Sequence, residues 1–150
     1  SADRIAVRMS PTNSIYGMSD SDPVALFTYV AERLNDYGLA YVHTAEGIQP
    51  GRIFNPDAPR VTPLIRQAYR GVLFTNGGYE KQTAAEAIRQ GAADAIAFGQ
   101  LFIANPDLPV RFAMDAPLNE AHSESFYTGT TAGYIDYPTL HSMPATQFVP

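Results

Sequence analysis

The chain has 150 residues, is 45% hydrophobic and carries a net charge of −5. That length holds one domain with a real core, and the few Lys and Arg are scattered, which argues against a nucleic-acid or anionic-membrane partner. There is no cysteine, so no disulfide framework or thiolate metal site is available, as suits the cytoplasm.

Ser1–Arg4 lack the basic and apolar regions of a signal peptide, and no apolar run approaches the ~20 residues of a membrane span. The missing initiator Met points to a chain that begins inside a larger protein. Ile5–Met9 reads as a short apolar strand interrupted by Arg8. A charge inside a buried strand is costly unless paired. Arg8 is therefore either an end-of-strand cation reaching solvent or a carboxylate, or a functional cation at the mouth of the sheet. Pro11–Asp22 is a polar loop long enough to shape a pocket. Its apolar members Ile15, Tyr16 and Met18 either line an entrance or anchor the loop. Ser21-Asp22-Pro23 gives a capping residue followed by Pro at the first helical position. Phe27, Val30, Ala31 and Leu34 then recur at helical spacing, and Gly38 is expected at the C′ position. The next strand is Leu39–His43. His43 and Glu46 have metal-ligand spacing only if the segment is helical. It reads as strand then loop, so no metal is expected and His43 is taken as a hydrogen-bonded residue of the sheet's carboxyl edge.

Thr44–Arg60 is a second loop, broken by Pro50, Gly51, Pro56 and Pro59. A helix follows over Thr62–Tyr69, with Gly71 beyond it. Two apolar runs, Val72–Thr75 and Ala95–Phe98, then have the length of buried parallel strands, and Gly77, Gly78 and Gly99 follow at their carboxyl ends. Glycine there lets backbone N–H groups approach a ligand, and the helix start beyond adds partial positive charge. Between them Lys81–Gln90 is a helix whose Ala84, Ala85, Ala87 and Ile88 permit close packing on the sheet, and Gly91 ends it. Asn105-Pro106-Asp107 is read as the cap and first turn of a last short helix running over Pro109–Asp115. Strands starting near Ile5, Leu39, Val72 and Ala95, each followed by a helix, imply a parallel α/β sheet. Four such units are half of a (β/α)8 barrel, whose phosphate sites lie after its last two strands.

Several separate motifs in order resemble one family. Asn76-Gly77-Gly78-Tyr79, Ala97-Phe98-Gly99-Gln100, Ala104-Asn105-Pro106-Asp107-Leu108-Pro109, Ser125-Phe126-Tyr127 and Gly133-Tyr134-Ile135-Asp136-Tyr137-Pro138 are similar to the end of an Old Yellow Enzyme family ene-reductase. Arg8-Met9-Ser10-Pro11 resembles the family's Arg-Leu-Ser-Pro-like run. The resemblance runs from about Arg4 to Leu140 and implies that residues 1–140 are the C-terminal half, about strands 5–8, of an FMN-binding TIM barrel. It implies FMN as cofactor, NADPH or NADH as reductant, and hydride transfer from FMN N5 to an activated alkene such as an enone, maleimide or nitroalkene.

It also distributes roles. Arg8 would lie against the flavin pyrimidine ring. Asn76, Gly77, Gly78, Phe98, Gly99 and Gln100 would bind cofactor, and Tyr127 would contact substrate. The family's commonest pattern has Arg where Gln100 stands; an Arg would clamp the phosphate bidentately, whereas Gln donates only a neutral hydrogen bond, so looser FMN retention is expected. Thr44–Arg60 resembles the family's variable loop over the substrate, where Arg52, Phe54 and Asn55 either contact substrate or NAD(P)H or serve packing. Gly133–Pro138 reads as a packing motif, and His122 and His141 as solvated.

The family's proton-donor Tyr and its substrate-holding His pair have no counterpart here, so no catalytic residue is assigned to this chain, and alone it is expected to be inactive. An open half-barrel exposes two edges, so pairing with a complementary N-terminal half or with itself is expected. The tail 141–150 is read as a joint: Met143-Pro144 and Gln147-Phe148-Val149-Pro150 resemble how family members begin, which suggests a circular permutant. Two competing readings remain, a non-catalytic half-barrel that binds phosphate weakly or not at all, and a phosphosugar-binding barrel. The second leaves Phe126-Tyr127 and Gly133–Pro138 without a role.

Overall fold

A strand that leads through a helix into a neighbouring parallel strand returns by a crossover, and such crossovers are right-handed in nearly all proteins. In the computed structural model, which describes residues 1–13, 15–48 and 55–142, four strands form one parallel sheet. They are β1 (Ala6–Met9), β2 (Tyr41–Ala45), β3 (Leu73–Asn76) and β4 (Ala95–Ile96), in the order β1-β2-β3-β4. Between them run α1 (Pro23–Leu34), α2 (Thr62–Ala68) and α3 (Lys81–Arg89). Because the order never reverses, right-handed crossovers put all three helices on the same face. A doubly wound sheet needs a reversal of strand order, and this sheet has none. These elements make up the first of two compact units, Ser1–Ala97.

Alternation along the strands separates the two faces. Met9, Val42 and Leu73 are buried in one cluster with Ala31 of α1 and with Val61, Ile65 and Tyr69 in and beside α2. Phe27, Val30 and Leu34 pack against it, so the apolar stripe expected from helical spacing is the one that is used. On the opposite face Ala6 and Arg8 are exposed, while Tyr41, His43 and Phe74 are half-buried. There the rings of Tyr41 and Phe74 stack at 4.3 Å. Parallel sheets are normally covered on both faces; within this unit the helices cover one.

The strands sit one or two residues from their expected positions. β2 starts at Tyr41 instead of Leu39, and β4 stops at Ile96, because pairing partners rather than the apolar run decide where a strand ends. The helix ends follow local chemistry closely in two places. Asp22 caps α1, its Oδ1 accepting from the Ala25 N–H at 2.9 Å, with Pro23 at the first position. Replacing Asp22 by Ala is expected to cost about 1 kcal/mol, read as a shift in the urea midpoint; no shift would mean that the cap is idle. α3 ends as expected at Gly91 (φ +69°). The Ala92 and Gly91 N–H groups bond back to Ala87 and Ile88, the pattern of a Schellman motif. Ala84 and Ala87 are buried, but Ala85 and Ile88 are exposed.

Two expected helix boundaries are corrected. Gly38 is not the C′ residue of α1. The helix stops at Leu34 with Asn35 as C-cap, because the Asn35 side chain turns back to bond the Ala31 and Glu32 carbonyls and reaches across to Ala68 O at 2.9 Å. Gly38 (φ +60°) closes the turn that follows. Asn105 does not cap the last helix, nor is Pro106 its first residue. In the second unit, Phe98–Pro150, α4 (Gln100–Ala104) precedes α5 (Leu108–Met114), whose N-cap is Asp107. Asn105 is fully buried as the C-cap of α4, donating to Leu101 O and accepting from the Asn119 N–H. Among the described residues no helix is long and apolar enough to cross a membrane.

Candidate functional site

In parallel βα units the loops at the carboxyl ends of the strands collect on one edge, and that edge carries function. In the first unit this edge is built around one side chain. Glu46, just past β2, is 1% exposed. Its Oε1 accepts from the Val61 N–H at 2.9 Å and from the Thr12 hydroxyl at 3.2 Å. Its Oε2 accepts from the Thr62 N–H at 2.9 Å and from Arg60 Nε at 3.0 Å. Burial alone pushes this carboxyl up; the Val61 and Thr62 N–H groups, the Thr62 hydroxyl and Arg60 outweigh it and hold it below the ordinary Glu value. The backbone takes part as well, since the Glu46 N–H bonds Asn76 O at 3.0 Å and the Ile48 N–H bonds Gly77 O at 2.9 Å. The turns after β1, β2 and β3 thus meet at one residue. A single-sequence reading weighed Glu46 only as a metal ligand, because its donors are distant in the chain.

The glycines of the β3 turn have a packing reason of their own. Gly77 has φ +135°, and a Cβ there would lie 2.4 Å from the Glu46 carbonyl oxygen. Gly78 (φ +79°) also needs a left-handed backbone. Asn76 spends its side-chain amide on Ala97 O at 2.8 Å, joining β3 to the end of β4.

Arg8 and His43 are register partners on the open face of the sheet. Arg8 is exposed, not trapped in a buried strand. Among the described residues its guanidinium has no ion pair or hydrogen bond. His43 departs from expectation. It lies inside β2, and its Nε2 is buried with no hydrogen-bond partner among the described residues. The strand ran two residues further than its apolar pattern, which carried His43 away from the polar edge and beside the Phe74 ring at 6.4 Å. Burial, and then the nearby Arg8 charge, hold its pKa below the usual 6.5, so it is neutral at pH 7. A recess of about 460 Å³ is lined by the loop after β1, with Arg8, Thr12, Asn13 and Met18, by Pro23, Leu26 and Phe27 of α1, and by Asn55 and Ala58 of the segment before α2. That volume lies in the range of ligand sites. Arg52 and Phe54 of the same segment lie outside the described residues, as do residues 143–150 of the proposed joint. Among the described residues no group of three or more His, Asp or Glu could hold a metal ion.

In the second unit Gly99 is the N-cap of α4 and Gln100 its first residue, both exposed. With five residues, α4 contributes little dipole. A Cβ on Gly99 would meet nothing within 4 Å among the described residues, and its φ is −101°, so packing there does not demand glycine. The Phe98 ring packs edge-on against Phe112 at 5.3 Å. Tyr127 is exposed at φ +62°, an uncommon backbone for a bulky residue, with its ring 5.8 Å from that of Tyr134. Its neighbour Phe126 is buried.

The anchor of this unit is Arg111, which the sequence reading passed over. It is fully buried, with Nε on Asp107 Oδ1 at 2.7 Å, Nη1 on Pro117 O at 2.6 Å and Nη2 on Pro138 O at 2.9 Å. The spacing of Asp107 and Arg111, an i,i+4 pair, was the available signal. Burial raises the Asp107 carboxyl, and Arg111 and the Leu140 N–H more than offset it. In Gly133–Pro138, read as a packing motif, Tyr134, Ile135, Asp136 and Pro138 are exposed; Tyr137 Oη accepts from the His122 N–H at 2.9 Å, and Asp136 from the Gly133 N–H at 2.7 Å.

The sequence profile of the NADH:flavin oxidoreductase / NADH oxidase family matches residues 1–119. The chain is 41% identical over 144 residues to the putative 12-oxophytodienoate reductase 11 of Oryza sativa subsp. japonica, covering 94% of this chain and 39% of that protein. It is 42% identical over 138 residues to a probable flavin mononucleotide-dependent alkene reductase of Leishmania infantum, covering 92% and 36%. The old yellow enzyme structure from Trypanosoma cruzi superposes with a TM-score of 0.84 at 41% identity, covering 93% of this chain and 36% of that one. The chain therefore spans between 36% and 39% of the length of these relatives.

Proposed function

Because the chain belongs to the NADH:flavin oxidoreductase / NADH oxidase family, we propose that it supplies the C-terminal half of an FMN-dependent (β/α)8 ene-reductase. Completed, that barrel reduces activated C=C bonds with NAD(P)H. The observation that carries this reading is the sheet itself. Four parallel strands in unbroken order, with helices on one face, suit an arc of a barrel, and the face without helices presents an exposed cation, Arg8.

The residues fit the cofactor in part. Arg8 would hold the electron-rich pyrimidine edge of the flavin, where a fixed guanidinium stabilises negative charge. The family resemblance assigns phosphate contacts to the N–H groups at Gly78, and likewise to those at Gly99 and Gln100. The open space at Gly99 suits that role; the Asn76 amide and the Phe98 ring already have protein partners. FMN, when bound, supplies the hydride that reaches the alkene. Tyr127 would meet the substrate. The proton donor and the pair that holds the substrate's carbonyl are expected from the complementary half, so activity belongs to the assembled barrel, made with an N-terminal half-barrel or by self-association.

The first test is the visible absorption spectrum of the purified protein, alone and mixed with the complementary half, followed by denaturation to release the chromophore. Released FMN, together with NADPH oxidation on adding an enone, supports the reading. A mixture that stays colourless in excess FMN overturns it and leaves a non-catalytic half-barrel. In the assembled protein, Gln100→Arg is expected to tighten FMN retention roughly tenfold, as a charged hydrogen bond replaces a neutral one. Fluorescence titration of free FMN reads this directly, and unchanged retention would remove Gln100 from the phosphate.

A further inference from the structure

We propose that Glu46 is a positioning residue that locks together two walls of the 460 Å³ recess, the loop after β1 and the segment before α2, beside the α1 residues that also line it, so that a ligand ordering one wall orders the other. Thr12 belongs to the wall that follows β1. Asn55 and Ala58 belong to the other wall, and that segment ends at Arg60, Val61 and Thr62. Each wall reaches the other through the Glu46 carboxylate: Thr12 on Oε1, Arg60 and the Thr62 N–H on Oε2, and the Val61 N–H sharing Oε1.

The chemistry suits a lock better than a brace. A carboxylate has about four lone-pair directions, and here four donors from two segments occupy them. Releasing either wall strands acceptor capacity on an almost fully buried charge, which is expensive. The walls therefore open together or not at all. Arg60 is the charged group that faces Glu46. The β1 loop and the N-terminus of α2 present neutral donors, and the β3 turn touches the Glu46 backbone. His43 lies on the other face of β2, with Arg8 beside it. This inference does not depend on the flavin reading, because its test needs no cofactor.

The test is amide hydrogen exchange on the full chain, comparing residues 9–13 with residues 55–62. Thr12→Val removes one donor from the first wall, and Arg60→Gln weakens one in the second. Each is expected to speed exchange several-fold in the wall it does not touch. Glu46→Gln is expected to speed both by about tenfold, leaving residues 73–76 of β3 protected. In the wild type, protection of both walls, corrected for intrinsic rate, should fall at one shared pH below the ordinary Glu range, and in Glu46→Gln that step should vanish. Faster exchange confined to the substituted wall overturns the coupling. If Glu46→Gln unfolds the chain, the Thr12 and Arg60 variants still decide.

Discussion

Replacing Arg111 by Met lowers the stability of the chain by about 3–5 kcal/mol, the cost of breaking a buried ion pair by removing one partner. The guanidinium is fully buried and joins Asp107 to the carbonyls of Pro117 and Pro138. Without it Asp107 keeps the Leu140 N–H at 2.7 Å, but two carbonyls lose a strong donor. Lysine does not rescue, because one ammonium cannot reach acceptors set out for a planar fork. Urea denaturation followed by circular dichroism measures the loss, and a change below about 1 kcal/mol would show that the segment from Pro117 to Pro138 is held by something else. The same anchor gives acid sensitivity of defined sign. Asp107 is held below the ordinary carboxylate value. Its contribution is complete above that value and disappears as pH falls through the lowered one.

The second large effect is at the turn after β3. Gly77→Ala places a methyl group 2.4 Å from the Glu46 carbonyl oxygen and 2.9 Å from Gly47 Cα, at φ +135°. These are backbone atoms that cannot swing aside, and the expected cost is about 3 kcal/mol from strain and overpacking together. Gly99→Ala is the control. Its Cβ meets nothing and its φ is ordinary, so stability should stay within about 0.5 kcal/mol. Thermal melts of the two variants separate packing from binding. If Gly99→Ala keeps its stability while the assembled barrel loses FMN, the glycine serves the ligand. A destabilised Gly99→Ala would assign it to the fold.

Most of the fold was legible because it is written locally. The Asp22-Pro23 start and the Gly91 stop of their helices, the stripe from Phe27 to Leu34 and the four short apolar runs all rest on neighbours within a few residues. Glu46, Asn105 and Arg111 were not legible, because their partners are 14 to 34 residues away in some cases, as for Thr12, Val61, Asn119 and Pro138. A buried polar residue looks like a surface one until its donors or acceptors converge on it. The site was legible in its glycines, but for mixed reasons. Gly77 is demanded by the approach of Glu46, so its presence alone says nothing of a phosphate, whereas a Cβ on Gly99 meets nothing within 4 Å among the described residues, so packing does not account for that glycine.

The unbroken strand order has a consequence for how the first unit comes into being. Register partners such as Ala6 and Tyr41, Val42 and Leu73, or Phe74 and Ala95 are separated by a single helix. Each closure spans one helix and its loops, and closure cost grows only slowly with that length, but parallel pairing is non-local and therefore slower than hairpin formation. During synthesis every strand finds its template already waiting, and the newest strand is always the growing edge. Damage to β2 should then stall everything made after it, while damage to the two-residue β4 leaves the three earlier strands able to form.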